Sequence, residues 1–247
     1  MKPASDAVEL KSKRLINMAL WHKLLLGTVG AVVVDKALLR PWYLRWGATA
    51  SELQKSWLGD ELVEHPGHCT RAITVAAPAE SIWPWIVQIG QDRGGFYSYT
   101  LLENLFLAEM RNAERIIPKF QSRNVGDVVW MAPEHRYGNK ASMTVAQLVP
   151  NRAMVLVQRD EFEAAVRGER IHGGIWQFLL EPISDSSTRL IMRGAAPDKT
   201  SLLYDLVFDP AHFVMERKMM LGIKERAEVF NSIAPWTNTP ESNRHSL

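Results

Sequence analysis

Apolar residues dominate the chain from Leu15 to Leu39, and the pattern then changes to shorter, alternating runs. Within this segment the uncharged run Leu24–Val34 is bounded by Lys23 and Asp35. A helix of that length covers about 16 Å, whereas the apolar core of a bilayer is about 30 Å thick. The apolar residues would lie on nearly all sides of the helix, which favours burial in lipid or in protein.

Three interpretations of residues 15–39 stay open. The first is a membrane anchor or interfacial helix whose charges Lys23, Asp35 and Lys36 reach the interfaces. The second is a helix packed on the protein's own surface. The third is a signal peptide, although the residues after Val34 contain no small-residue cleavage site. We predict a protein that is associated with a membrane through this segment and is otherwise cytoplasmic.

Beyond Arg40-Pro41 the pattern predicts strands and helices of an α+β domain. Alternating and β-branched runs predict strands over residues 69–76, 128–131, 141–148, 153–158, 174–181 and 188–194. Helical spacing predicts helices from 77–80 to Gly90, over 99–110 and over 211–230. One long helix cannot bury both faces of an antiparallel sheet, so we expect the sheet to curl around it and leave a cavity.

Composition and charge narrow the class of protein. Of 247 residues, 47% are hydrophobic and 23% are charged, which is typical of a globular chain. A formal net charge of +2 argues against a nucleic-acid partner. A single cysteine, Cys69, excludes an intramolecular disulfide and argues against a Cys-based zinc site. We divide the chain into a basic and apolar amino-terminal segment (1–40), one domain (41–234) and a polar tail (235–247).

Five stretches of the domain carry a pattern found in a known family. They are APAESIWPWIVQIGQDRGGFYSY (77–99), VGDVVWM (125–131), the W-x-F-x-L-x-P strand (176–182), TRLIMR (188–193) and FVMERKMMLGIKERAE (213–228). Over residues 41–230 the chain resembles the START/Bet v 1-like (SRPBCC) superfamily, and more narrowly an uncharacterised branch of actinobacterial type.

The resemblance implies a helix-grip fold, in which a curved antiparallel sheet wraps around a long carboxy-terminal helix and encloses an apolar cavity. Members of the superfamily bind lipids, sterols or polyketides, and some cyclise or hydrolyse them. Their catalytic residues are not shared between branches, so the resemblance assigns none here.

Candidate ligand-binding residues are the large or polar side chains expected around such a cavity. They are Trp83, Ile86, Arg93, Phe96, Tyr99, Trp130, Trp176, Phe178, Phe213 and Met219. By strand alternation Arg193 points away from the core face, so a role in the cavity would require a bulge.

Candidate acids and bases come mainly from the polar stretch 88–104. They are Asp92, Tyr97, Tyr99, Glu103 and His172. The structural alternative is that Asp92 and Arg93 only fix a loop and that His172 is a turn residue.

The sequence predicts no metal site and no cofactor. The pair His65 and His68 has Cys69 next to it, but a metal site needs a third and a fourth ligand, and the proline and glycine between the two histidines favour a surface loop. GQDRGG follows a helix and lacks the spacing of a phosphate-binding loop.

Three functions remain open. The chain is a carrier or sensor that holds a hydrophobic small molecule, an enzyme (cyclase, dehydratase or hydrolase) that uses the same cavity, or an interaction module with a filled core. We favour the first, because no combination of acid, base and nucleophile can be read from the sequence. A perturbed carboxylate or histidine in the cavity would favour the enzyme.

Overall fold

The computed structural model describes residues 30, 34–195 and 209–233. The chain divides into two units, Met1–Tyr43 and Leu44–Leu247. A π-helical turn, Asp35–Leu39, is followed by helix α1, Arg40–Leu44. Most of the predicted membrane segment (15–29 and 31–33) and the predicted tail at 235–247 lie outside the described residues. In the part that is described, no helix combines the length and the apolar character needed to cross a membrane.

One antiparallel sheet forms the centre of the second unit. Its six strands in the described residues are β1 (Cys69–Val75), β2 (Val128–Trp130), β3 (Ser142–Val149), β4 (Ala153–Gln158), β5 (Ile175–Ser184) and β6 (Ser187–Ala195). They lie in the order β1-β6-β5-β4-β3-β2, and all neighbours are antiparallel. The predicted strands are all present, with shifts of a few residues at their ends.

The other helices before or between the strands are short, and one long helix follows the last strand. They are α2 (Ala50–Gln54), α3 (Ala79–Val87), α4 (Thr100–Leu105), α5 (Glu134–Tyr137), α6 (Phe162–Val166) and α7 (Asp209–Ile233). Single 3₁₀ turns lie at Asp60–Leu62, Pro118–Phe120, Gly138–Ala141 and Arg159–Glu161.

The helix predicted over 99–110 ends at Leu105, because the chain leaves the right-handed helical region there. Leu107 has φ 57° and Glu109 has φ 50°, values that a right-handed helix cannot contain.

The main core lies between the sheet, α3 and α7. Helix α7 contributes an apolar stripe that begins with Met219, Ile223 and Ala227. The stripe meets Ile82 and Ile86 of α3 and the inward side chains of the strands. This arrangement of an antiparallel sheet on a long carboxy-terminal helix is the helix-grip fold, so the predicted fold class is confirmed.

The opposite face of the sheet is covered as well, which the strand pattern did not predict. Residues 57–63 and α6 cover it, and the apolar residues buried there are Leu62, Val63, Ala146, Val155, Val157, Ala165, Ile171, Ile175 and Ala195. Arg193 points to this side, as alternation predicted, and its guanidinium binds both carboxylate oxygens of Asp60 at 2.9 and 3.0 Å. The sheet therefore separates two buried layers.

Candidate functional site: a cavity beside the long helix

A cavity of about 810 Å³ lies between the sheet and the amino-terminal half of α7. Most of its wall is apolar, and the larger apolar side chains are Phe96, Met110, Met131, Met143, Ile175, Trp176, Met215 and Met219. Methionine is flexible and polarisable, so such a wall can adapt to ligands of varied shape. The volume lies in the range of small-molecule sites, about 300–1,000 Å³.

The cavity reaches the surface on one side. There the lining residues are polar and exposed, and they are Asn139, Lys140, Gln158, Arg159 and Asp160. They lie in the turn that precedes β3, at the last residue of β4 and in the turn that follows it. An apolar interior with a polar mouth suits a ligand that is mostly apolar.

Trp176 is the centre of an aromatic group in the wall. The centroid of its ring lies 6.0 Å from the ring centroid of Phe96, 4.8 Å from that of Phe178 and 6.1 Å from that of His212. Its indole Nε1 donates a hydrogen bond to Glu216 Oε1 at 2.8 Å. The rings of Phe96 and Trp176 are therefore held in fixed positions along the cavity.

A buried ion pair crosses from β1 to α7 in the same wall. Arg71 Nη1 donates to Glu216 Oε2, and each side chain is only 1% exposed. The guanidinium also lies over the ring of Phe213, 5.2 Å from its centroid. Because Trp176 binds the other oxygen of Glu216, both carboxylate oxygens have partners, as a buried charge requires.

Further polar side chains surround this pair. His68 Nε2 lies 3.7 Å from Asp209 Oδ2. Burial, together with the positive charge of Arg71, lowers the pKa of His212 to about 4, so its imidazole is neutral at pH 7. Burial raises the pKa of the Cys69 thiol, which therefore stays protonated. Within residues 30, 34–195 and 209–233 no group of three or more His, Cys, Asp or Glu side chains is placed to hold a metal ion.

Glu103 brings a carboxyl group to the cavity without a partner. It lies on α4 and lines the wall, and its Oε2 is buried with no hydrogen-bond partner among the described residues. Burial raises the pKa of this carboxyl to about 7. The group can therefore both accept and release a proton near neutral pH.

The predicted site residues separate into two groups. The structure brings Phe96, Glu103, Trp176 and Met219 together in the cavity wall. Ile86 and Phe178 are fully buried in the adjoining core, and Phe213 lies against Arg71.

The remaining candidates do not appear among the lining residues. Asp92, Tyr99 and His172 are exposed, and Trp83 and Trp130 are half-buried. Arg93 donates to the carbonyl oxygens of Phe120 and Ser122, so it holds a loop, as the structural alternative proposed.

Tyr97 is part of the core rather than of the cavity wall. Its hydroxyl donates to the carbonyl oxygen of Trp85 at 3.0 Å, and only 1% of the residue is exposed. Burial raises the pKa of the phenol, which makes it a poor acid or base.

Sequence reasoning missed Arg71, His212 and Glu216. One signal was available, because Arg71 shares its side of β1 with Ile73 and Val75, and Glu216 lies one turn before Met220 on the helix. A charge at an inward position on each of two elements suggests a buried pair.

Comparison with known proteins gives only distant structural neighbours. No family model matches the sequence, and no curated protein matches it. One similar solved structure is a protein from Mesorhizobium loti, 14% identical, with 65% of this chain and 97% of that chain covered and a TM-score of 0.33. A protein from Chromobacterium violaceum is 14% identical, with 64% and 96% covered and a TM-score of 0.34. A polyketide-cyclase-like protein from Corynebacterium glutamicum is 15% identical, with 66% and 88% covered and a TM-score of 0.30. These values assign neither a ligand nor a reaction to the present chain.

Proposed function

We propose that this protein binds a hydrophobic small molecule, such as a lipid, a sterol or a polyketide-like compound, as a carrier or a sensor. The observation that carries the proposal is the cavity of about 810 Å³ with its methionine-rich and aromatic wall. Transfer of apolar ligand surface from water into such a wall is favourable by about 25 cal/mol per Å². The mouth at 139–140 and 158–160 provides a route to the surface.

A substitution that fills the cavity with a larger side chain tests this proposal. Met215 lines the cavity on α7, whereas its neighbour Val214 is 44% exposed on the same helix. We expect Met215→Trp to weaken binding of the neutral fluorophore N-phenyl-1-naphthylamine at least about tenfold, because the larger ring occupies the ligand space. The matched variant Val214→Trp should bind like the wild type. Equal binding by both variants, or no binding by the wild type, would contradict the proposal, and native mass spectrometry before and after solvent extraction identifies any resident ligand.

We also propose that the ligand is exchanged at a membrane. The apolar pattern of residues 15–39 supports contact with lipid, and so does a patch on and after α4. In this patch Leu101, Leu105 and Phe106 are 84%, 73% and 71% exposed. Glu103 lies in the same segment and lines the cavity, so the patch adjoins the ligand site.

Two measurements on the full chain separate these contacts. Leu25→Asp with Val29→Asp places charges in the amino-terminal apolar run and should reduce flotation with phosphatidylcholine–phosphatidylglycerol vesicles. A polarity-sensitive dye on Leu105→Cys should shift to the blue with the same vesicles and be quenched by nitroxide-labelled lipid. The dye on Ile183→Cys, a position that is 58% exposed on β5, is the control and should not respond. An unchanged flotation and an unresponsive Leu105 dye would refute membrane exchange.

A second candidate function is acid–base catalysis in the same cavity, as in a cyclase, dehydratase or hydrolase. The specific observation in its favour is Glu103, a cavity carboxyl whose pKa burial raises to about 7. If the chain is an enzyme, the extracted ligand should change its mass or its chromatographic retention on incubation with the wild type and not with Glu103→Gln. A ligand that both proteins leave unchanged supports the carrier.

A further inference from the structure

The carboxyl of Glu103 differs from that of Glu216, another carboxylate of the cavity wall. Glu216 accepts hydrogen bonds from Arg71 and from Trp176, one on each oxygen. The Glu103 side chain is only partly buried, but its Oε2 atom is enclosed and has no hydrogen-bond partner among the described residues. A buried acceptor without a donor is unfavourable, so such a group in a native protein calls for an explanation.

The surroundings of Glu103 supply no charge that would compensate for its burial. Burial is the cause that raises the pKa of its carboxyl to about 7. The other lining residues of its own segment are Phe96, Ser98 and Met110, and those of α7 are Asp209, His212, Met215, Glu216 and Met219. Among them Ser98 has the only hydroxyl, and that hydroxyl donates to the backbone oxygen of Met215 at 2.9 Å.

The backbone holds this segment in a defined shape. Asn104 binds the backbone of Met110 from both sides of its amide: Oδ1 accepts from the Met110 N–H at 2.6 Å, and Nδ2 donates to the Met110 oxygen at 3.1 Å. The backbone oxygen of Glu103 accepts from the N–H groups of Phe106 and Ala108. The backbone that carries Glu103 is therefore held in place beside the cavity.

We propose that Glu103 Oε2 is the acceptor for a hydrogen-bond donor of the ligand, so that the ligand is an apolar molecule bearing a hydroxyl or amino group rather than a pure hydrocarbon, ether or ester. The proposal rests on the proposed binding function and deepens it. The donor completes the hydrogen bonding of the buried oxygen, and the methionine-rich wall covers the apolar remainder of the ligand.

Three probes with the same twelve-carbon chain test this inference on the full-length protein. They are 1-dodecanol, dodecylamine and methyl dodecyl ether, and each competes with N-phenyl-1-naphthylamine for the cavity. We expect the alcohol or the amine to bind about tenfold more tightly than the ether, because only these two can donate to Glu103.

Variants of Glu103 identify the acceptor. In Glu103→Leu the affinities for the alcohol and the amine should fall to that for the ether. The affinity for the ether should not change. Glu103→Gln keeps the shape of the side chain and a neutral acceptor. It should therefore still bind the alcohol tightly, whereas its affinity for the amine should fall. Glu80→Leu removes an exposed carboxylate at the start of α3 and should change none of the three affinities.

The outcomes separate this inference from the function on which it rests. Equal binding of all three probes, unaffected by either Glu103 variant, would overturn the inference and leave hydrophobic binding intact. Failure of every probe and of the fluorophore to bind the wild type would overturn both. A preference for the amine that is lost in Glu103→Gln identifies a cationic donor, and a preference for the alcohol that persists identifies a neutral one.

Discussion

At the scale of single residues, the cavity wall depends on how its charges are satisfied. Arg71 and Glu216 are almost fully buried and pair with each other, and Trp176 binds the second oxygen of Glu216. An unpaired charge at this depth is strongly unfavourable, whereas a neutral replacement of both partners costs much less.

A double-mutant cycle at this pair should therefore be far from additive. Glu216→Gln should destabilise the fold by about 3 kcal/mol, because the buried guanidinium of Arg71 loses the charge of the Glu216 carboxylate. The double variant Arg71→Met with Glu216→Gln should recover most of that loss, since the amide oxygen still accepts from Trp176. Denaturant unfolding gives the free energy of unfolding of the wild type, the two single variants and the double variant. If the losses of the single variants add up to that of the double variant, the pair is not coupled.

Glu103 predicts a specific dependence of stability on pH. Its folded pKa, about 7, lies above its ordinary value of 4.5, so the folded state binds the proton more tightly than the unfolded state does. The resulting stabilisation is complete below about pH 4.5 and is lost as the pH rises through 7. Relative to Glu103→Gln, the wild type should lose about 1 kcal/mol between pH 5 and pH 8, a figure reduced for the partial exposure of the group. A difference between the two proteins that does not vary with pH would show that Glu103 titrates normally.

At the scale of the elements, the loop after α3 and helix α7 approach each other closely. A Cβ built on Gly222 of α7 would lie 2.5 Å from the backbone oxygen of Tyr97 and 2.9 Å from its Cβ. Tyr97 itself has φ 58°, so this part of the loop has little freedom to move away. The glycine therefore sets the distance between the helix and the loop that carries Phe96 into the cavity wall.

Gly222→Ala should consequently destabilise the protein, although alanine is the better helix former by about 1 kcal/mol. We expect a net loss of about 1–3 kcal/mol from the overpacked contact. Glu225→Ala, at an exposed position on the same helix, should change the free energy of unfolding by no more than about 0.5 kcal/mol. Thermal or denaturant unfolding compares the stabilities of both variants with that of the wild type. A Gly222→Ala variant that is more stable than the wild type would disprove the close contact.

At the scale of the whole domain, the sheet separates a ligand layer from a structural layer. On the side away from α7, Asp60 binds Arg193 through both oxygens and also accepts from the Gln177 amide at 3.0 Å. These side chains are buried, yet none of them lines the cavity. Asp60, Arg193 and Gln177 therefore support the strands without lining the proposed ligand site.

Removal of the Asp60 carboxylate should lower the stability of the protein without changing its affinity for the ligand. Asp60→Ala leaves Arg193 buried without its carboxylate and should cost about 3–5 kcal/mol of unfolding free energy. Under conditions where the variant stays folded, its affinity for N-phenyl-1-naphthylamine should equal that of the wild type. Glu181→Ala breaks the surface pair with Lys55 and should cost less than about 1 kcal/mol. A large fall in affinity in Asp60→Ala would show that the two layers are coupled.

The candidate site could be predicted only in part. Phe96, Trp176 and Met219 followed from apolar periodicity and from the implied cavity, and Glu103 from its place in a polar stretch. Arg71 and Glu216 were missed, because a charge inside an apolar strand or helix does not reveal its partner 145 residues away. Arg93 and Tyr97 looked equally suitable as site residues, but their hydrogen bonds join them to neighbouring backbone.

The sequence by itself determined the strands, the long closing helix and the outward direction of Arg193. These follow from side-chain periods of about 2 and 3.6 residues, which are properties of short stretches of chain. Only the tertiary structure decided that the outer face of the sheet is covered, that Arg71 meets Glu216, and that Oε2 of Glu103 is enclosed beside a cavity without a partner. Burial and partnership depend on segments far apart in the chain, and burial in turn shifts the pKa of Glu103.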